Sequence, residues 1–236
     1  MVELLRRMRY PGRFLAIGKD GDAYVALYGA TGRSASSLAR RFVEEADAVY
    51  MGGVDATVAK EGNPELLEYP AVQLFENGVV VANGRQIEKI DSLQSRDARK
   101  QLSYLLSEEA YEPDEYLTPR ITGCIIKNQT GADGAIHIVR SASDGIDHSS
   151  WTVPFESGKG MFISTYIGAD VRPTPSFSGE PVPVALNFGS AKKAAHALFD
   201  ALKPSEGEMD YRVGCIAVYM KENQRPEVAI VNRIKP

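Results

Sequence analysis

The chain has 236 residues, 44% of them hydrophobic, enough to bury a substantial core. Its 27 basic and 31 acidic residues leave a net charge of -4, which provides no electrostatic footprint for a nucleic-acid backbone and limits basic side chains to local work. No apolar run approaches the ~20 residues a bilayer-spanning helix needs, and the basic Arg6, Arg7 and Arg9 lack the apolar stretch of a signal peptide.

In chain order, Arg13 to Ile17 and Ala23 to Tyr28 read as two strands of a hairpin around the turn Lys19-Asp20-Gly21-Asp22. Gly29 to Ser37 is small and polar and reads as a loop, Ala48 to Met51 as a short strand, and Lys60 to Glu68 as a polar connection. Tyr69 to Phe75 and Val79 to Ala82 flank Glu76-Asn77-Gly78, whose Asn-Gly pair suits a tight turn, and form a second hairpin. From Asp91 the period changes. Leu102, Leu105 and Leu106 recur at helical spacing, Asp91 or Ser92 can cap the start, and Pro113 forbids continuation.

Ile121 to Lys127, Ala135 to Ser141 and Met161 to Thr165 follow as strands. Val171 to Pro183 holds Pro173, Pro175, Pro181 and Pro183 and reads as an ordered loop. Ser190 can cap a second helix with an apolar stripe of Ala191, Ala194, Ala195, Leu198 and Leu202. Val213 to Met220 and Val228 to Asn232 close the chain as a hairpin. This order lacks the strand-helix alternation of a doubly wound parallel sheet, so the expectation is an α+β fold of two mostly antiparallel sheets with helices outside. No linker divides the chain, which is read as one domain over residues 1–236.

Cys124 and Cys215 sit in apolar strand contexts, where buried reduced thiols and a cytoplasmic setting are expected. His137, His148 and His196 are isolated in sequence, without metal-ligand spacing, so no metal is expected. Arg33, Ser34 and Ser36 put a guanidinium, hydroxyls and flexible amides into Gly32–Ser37, a set that suits a phosphate monoester and equally a solvated loop. Tyr69 and Asn83 stand at the same end of one hairpin, facing either a pocket or the core rim. Asp114-Glu115-Tyr116-Leu117-Thr118-Pro119-Arg120 crowds ionisable groups at a strand mouth, though adjacent Asp114 and Glu115 face opposite ways in extended backbone. A nucleophilic triad is disfavoured, because no G-x-S-x-G elbow is present.

Taken together, Tyr10-Pro-Gly-Arg-Phe-Leu-Ala-Ile-Gly18, the Arg33 loop, Tyr69 with Asn83-Gly84, Asp114-Glu115-x-x-Thr118-Pro119-Arg120 and Ile163-Ser164-Thr165-Tyr166 resemble the archaeal-type IMP cyclohydrolase family. The resemblance implies a four-layer αββα sandwich like that of the N-terminal-nucleophile hydrolases, though Met1-Val2 offers no second-residue nucleophile. It further implies cofactor-free closure of 5-formamidoimidazole-4-carboxamide ribotide to inosine monophosphate, and a homo-oligomer. On that reading Arg33, with Ser34 or Ser36, holds the 5′-phosphate. Tyr69 and Arg120 polarise the formyl group, Glu115 manages protons, and Asn83 and Thr118 position the base or ribose. The chain departs from the family at Leu117, where archaeal members carry Asn, and in the extra length of Val171 to Pro183. Two other readings stay open: a related amidohydrolase or nucleotide-processing enzyme of altered substrate, and a non-catalytic purine nucleotide sensor.

Overall fold

The computed structural model describes residues 1–54, 64–94 and 97–234. Strands β1 (Arg13–Asp20), β2 (Ala23–Thr31), β10 (Lys159–Ser164), β11 (Val182–Ala185), β12 (Arg212–Met220) and β13 (Glu227–Asn232) build one antiparallel sheet in the order β11-β10-β1-β2-β12-β13. The second sheet runs β3 (Arg40–Glu45), β4 (Ala48–Gly53), β5 (Tyr69–Phe75), β6 (Gly78–Ala82), β7 (Arg120–Asn128), β8 (Gly131–Ala142) and β9 (Gly145–Val153), each strand hydrogen-bonded to the next. Short helices α1 (Val2–Arg6), α2 (Ala35–Leu38) and α3 (Pro64–Leu67) punctuate the chain, and α4 (Ala98–Leu105) and α5 (Ala191–Ala201) supply the outer layers.

Side-chain alternation explains the layering. In β1, Leu15 and Ile17 point inward and meet Val72, Val81, Ile121 and Ile125 of the other sheet. Phe14 and Ala16 point outward and pack with Ala191, Ala194, Ala195 and Leu198 of α5. On the far face Val80, Ala82, Cys124 and Ala135 pack against Leu102 and Leu106. The molecule is therefore an αββα sandwich with three apolar interfaces, in which each fully buried Leu or Ile contributes about 1.5–3 kcal/mol. Gly123 lies on the inner face of β7, where a Cβ would stand 2.8 Å from Ile17 Cγ1, so glycine sets how closely the sheets approach there.

Several sequence expectations shift. The loop expected over Gly29–Ser37 is shorter, because β2 runs to Thr31 and Ser34 caps α2 through a capping box with Ser37. Helix α4 starts at Asp97, whose carboxylate accepts the Lys100 amide, rather than at Asp91 or Ser92. It ends at Leu105, since residues 107 and 108 are exposed and have no sheet to lie on. Of the polar connection from Lys60 to Glu68, residues 60–63 lie outside the described residues, and α3 follows. Strands β3, β9 and β11 were not expected at all, and β11 falls inside the proline-rich stretch read as loop. No helix among the described residues is long and apolar enough to cross a membrane.

Candidate active site

One end of the sandwich, where β1 begins and β10 ends, encloses polar groups instead of apolar ones. Gly12 enters β1 with φ +71°, and a Cβ there would lie 2.2 Å from Thr165 Oγ1. The close approach lets Thr165 Oγ1 accept the Arg13 amide at 3.1 Å while the Thr165 amide donates to the Arg13 carbonyl at 2.8 Å. The Arg13 guanidinium donates to Glu112, forming an ion pair with side chains 11% and 3% exposed. The same Glu112 Oε1 accepts Asn83 Nδ2 at 3.1 Å. Asn83 Oδ1 in turn accepts the Ile121 amide at 2.7 Å and Gln86 Nε2 at 3.1 Å. Gln86 Oε1 then accepts Arg120 Nη1 at 2.9 Å, and Arg120 Nε donates to the Ala110 carbonyl at 2.9 Å.

Burial sets the electrostatics of this chain of groups. The Glu112 carboxyl is raised above the ordinary range because burial outweighs the opposing pull of Arg13. Burial works against the Arg13 charge, yet Glu112 and the phenols of Tyr69, Tyr166 and Tyr28 together hold its pKa well above the usual value. The Arg13 Nε has no hydrogen-bond partner although it is buried. Tyr28 and Tyr69 share a hydrogen bond of 2.9 Å across the two sheets, and burial pushes Tyr28 well up.

The strand-mouth segment folds as a turn. The Asp114 carboxylate accepts the Thr118 amide at 2.8 Å and the Thr118 hydroxyl at 2.5 Å. Thr118 Oγ1 also lies 2.6 Å from Tyr166 OH, whose pKa burial pushes up to about 12. Tyr166 stacks on Tyr10 at 5.6 Å, and the Arg33 guanidinium lies over the Tyr10 ring at 3.9 Å. Arg33 reaches residues 169–174, donating to the Thr174 hydroxyl and pairing with Asp170. Arg40 is buried, bonds the Ser37 carbonyl at 3.0 Å, and has no carboxylate partner among the described residues.

The residues picked from sequence divide accordingly. Asn83, Thr118 and Arg120 belong to the enclosed network, Tyr69 faces Tyr28, and Arg33 joins the network through Tyr10 and Tyr166. Ser34 is exposed and spends its hydroxyl on the α2 cap, with Ser36 Oγ 3.1 Å away. Glu115 is exposed on the turn, whereas Asp114 beside it is half-buried and committed to Thr118. Sequence reasoning assigned no role to Arg13, Glu112, Gln86, Tyr28 or Arg40. A signal existed for Arg13, the one charge opening an otherwise apolar strand. None marked Glu112, which precedes Pro113 in a run that reads as a helix end.

The molecule is a two-sheet αββα sandwich with an arginine- and tyrosine-rich polar cluster between its strand ends, donors of the kind that bind anions. The chain belongs to the family described as IMP cyclohydrolase-like protein, which it matches over residues 10–224. It is similar to the IMP cyclohydrolase of Thermococcus kodakarensis, 38% identical over 119 residues, covering 50% of this chain and 57% of that protein. It also resembles the IMP cyclohydrolase of Methanothrix thermoacetophila, 26% identical over 228 residues, or 94% of this chain and 98% of that protein. A third relative, from Methanocaldococcus jannaschii, is 26% identical over 66% of this chain and 73% of its own length.

Proposed function

We propose that the protein is an IMP cyclohydrolase, closing 5-formamidoimidazole-4-carboxamide ribotide to inosine monophosphate in purine synthesis. The family match over residues 10–224 is the observation that carries this reading. The carboxamide nitrogen attacks the formyl carbon of the same molecule, forming a C–N bond as the C=O π bond opens onto oxygen, and the C–O bond then breaks as the ring C=N bond forms to the former formamide nitrogen. One hydrogen from each of the two nitrogens leaves with that oxygen as water. The step needs no cofactor. It needs a reactive conformer, a partner for the charge building on the formyl oxygen, and a proton carrier.

Arg33, with Ser34 or Ser36, takes the 5′-phosphate on this reading, and Asn83 and Thr118 orient the base or ribose. Tyr69 and Arg120 polarise the formyl group. The proton carrier has two candidates: Glu115, exposed on its turn, and Glu112, buried, raised in pKa and bonded to Asn83. Glu112 is the better placed, since it bonds both Arg13 and Asn83 inside the polar cluster, whereas Glu115 is exposed on its turn. Two fully buried free cysteines, Cys124 and Cys215, support a cytoplasmic setting. A homo-oligomer is the further expectation from the family resemblance, and analytical ultracentrifugation measures it.

Mixing purified protein with the formamido nucleotide and following the ultraviolet change of ring closure tests the activity. Turnover is expected, and tight binding without product would instead favour a nucleotide sensor. In the same assay Arg120→Ala lowers turnover far more than tenfold while circular dichroism stays unchanged. A folded variant of near-full activity would remove Arg120 from the mechanism.

A further inference from the structure

The guanidinium of Arg33 has five N–H donors, and residues 169–174 occupy the four on its two terminal nitrogens. Nη1 donates to the Val171 carbonyl at 3.1 Å and to Thr174 Oγ1 at 2.8 Å. Nη2 donates to the Ala169 carbonyl at 3.5 Å and pairs with Asp170 Oδ1 at 2.8 Å. Only Nε is left, buried and without a partner. A phosphate cannot use the fork of this guanidinium while the segment stays where it is.

The segment is anchored at its base and exposed at its tip. The Phe177 amide donates to the Thr165 carbonyl at 3.0 Å, the Ile167 amide to the Pro175 carbonyl at 3.1 Å, and the Tyr10 amide to the Gly168 carbonyl at 3.0 Å. Between these ties Val171, Arg172 and Pro173 are exposed, and the Asp170 side chain is 33% exposed with its second oxygen on Tyr211 OH at 3.1 Å. Arg33 also has contacts outside the tip. Its guanidinium lies 3.9 Å from the Tyr10 ring centroid and 5.8 Å from that of Tyr211.

We propose that residues 169–174 form a strap in which Asp170 stands in for the ligand's anion on Arg33, so that nucleotide binding exchanges the Asp170 carboxylate for a phosphate and releases the tip. The exchange is downhill electrostatically, because a phosphate monoester carries about -1.5 to -2 charges against one on Asp170 and takes the fork bidentately. It sets a threshold: ligands without a phosphate leave the strap closed. The proposal rests on the reading of Arg33 as the phosphate anchor, and the test separates the two.

The full chain is titrated calorimetrically with inosine monophosphate and with inosine, and the ratio of the two affinities is compared among variants that keep the wild-type circular dichroism. Asp170→Asn removes the competing charge at constant shape and raises the ratio roughly one-and-a-half- to fivefold, the range of a partly exposed ion pair. Arg33→Gln collapses the ratio. If Arg33→Gln leaves the ratio unchanged, the phosphate reading of Arg33 is wrong and the strap loses its ligand. If Arg33→Gln collapses it while Asp170→Asn leaves it unchanged or lowers it, Arg33 is the anchor but Asp170 holds it for the substrate, and the exchange is overturned.

Discussion

Leu117 adopts φ +48° and is 41% exposed. A γ-branched residue in the left-handed region is strained by about 1 kcal/mol, whereas Asn tolerates that conformation through local hydrogen bonding. The departure from the family pattern therefore has a conformational cost, and Leu117→Asn should raise stability by up to about 1 kcal/mol in urea unfolding. No gain would mean that Leu117 makes compensating contacts. His137 tells a different story at the same scale. Isolated in sequence, it lies 5.8 Å from the His148 ring and bonds Ser150 Oγ through Nδ1 at 2.6 Å. Burial first, and His148 second, lower its pKa to about 4. The unfolded chain, with a His pKa of about 6.5, takes up the proton first, so stability falls as pH drops from about 6.5 towards 4 and levels off below. Replacing His137 with Gln should shrink the loss of Tm between pH 7 and pH 5, and an unaltered loss would assign the pH dependence to other groups. Polar residues that flank apolar strands, Asn83, Thr118 and Arg120, could be picked from the sequence as candidates. The candidate site was illegible where distant segments supply one partner each, as Arg13 and Glu112 do, because their pairing is set only by the stacking of the sheets.

At the scale of elements, three of the four edge strands among the described residues escaped the sequence reading, β13 being the exception. The hairpins β1–β2, β5–β6 and β12–β13 were readable because most of their strands pack on both faces and carry continuous apolar runs. The unforeseen strands β3, β9 and β11 all lie at sheet edges. An edge strand has one hydrogen-bonded neighbour and faces solvent on its open side, so Arg, Glu, Ser, His and even Pro183 are admitted and the alternation blurs. Where two strands cross between sheets, the fit is tight. Gly123→Val would press on Ile17, whose Cγ1 and Cδ1 lie 2.8 and 3.0 Å from the position of an added Cβ, and should cost about 1–3 kcal/mol in urea unfolding. A neutral outcome would show that the sheets part without penalty at that crossing.

For the molecule as a whole, two antiparallel sheets with outer helices followed from the order of elements and the αββα layering from the family resemblance, and both outer helices were legible from their apolar stripes. What no single segment announced is that the two sheets meet at one end through oxygen and nitrogen atoms rather than methyl groups. The phenols of Tyr28 and Tyr69 belong to different sheets and touch at 2.9 Å. That bond is a caliper set across the sandwich. A hydrogen bond between two hydroxyls prefers a narrow range of distance and a near-linear angle, so it reads the separation of the two sheets directly. On the proposed role of Tyr69, a change of inter-sheet spacing elsewhere in the sandwich would reach turnover through a mis-set phenol.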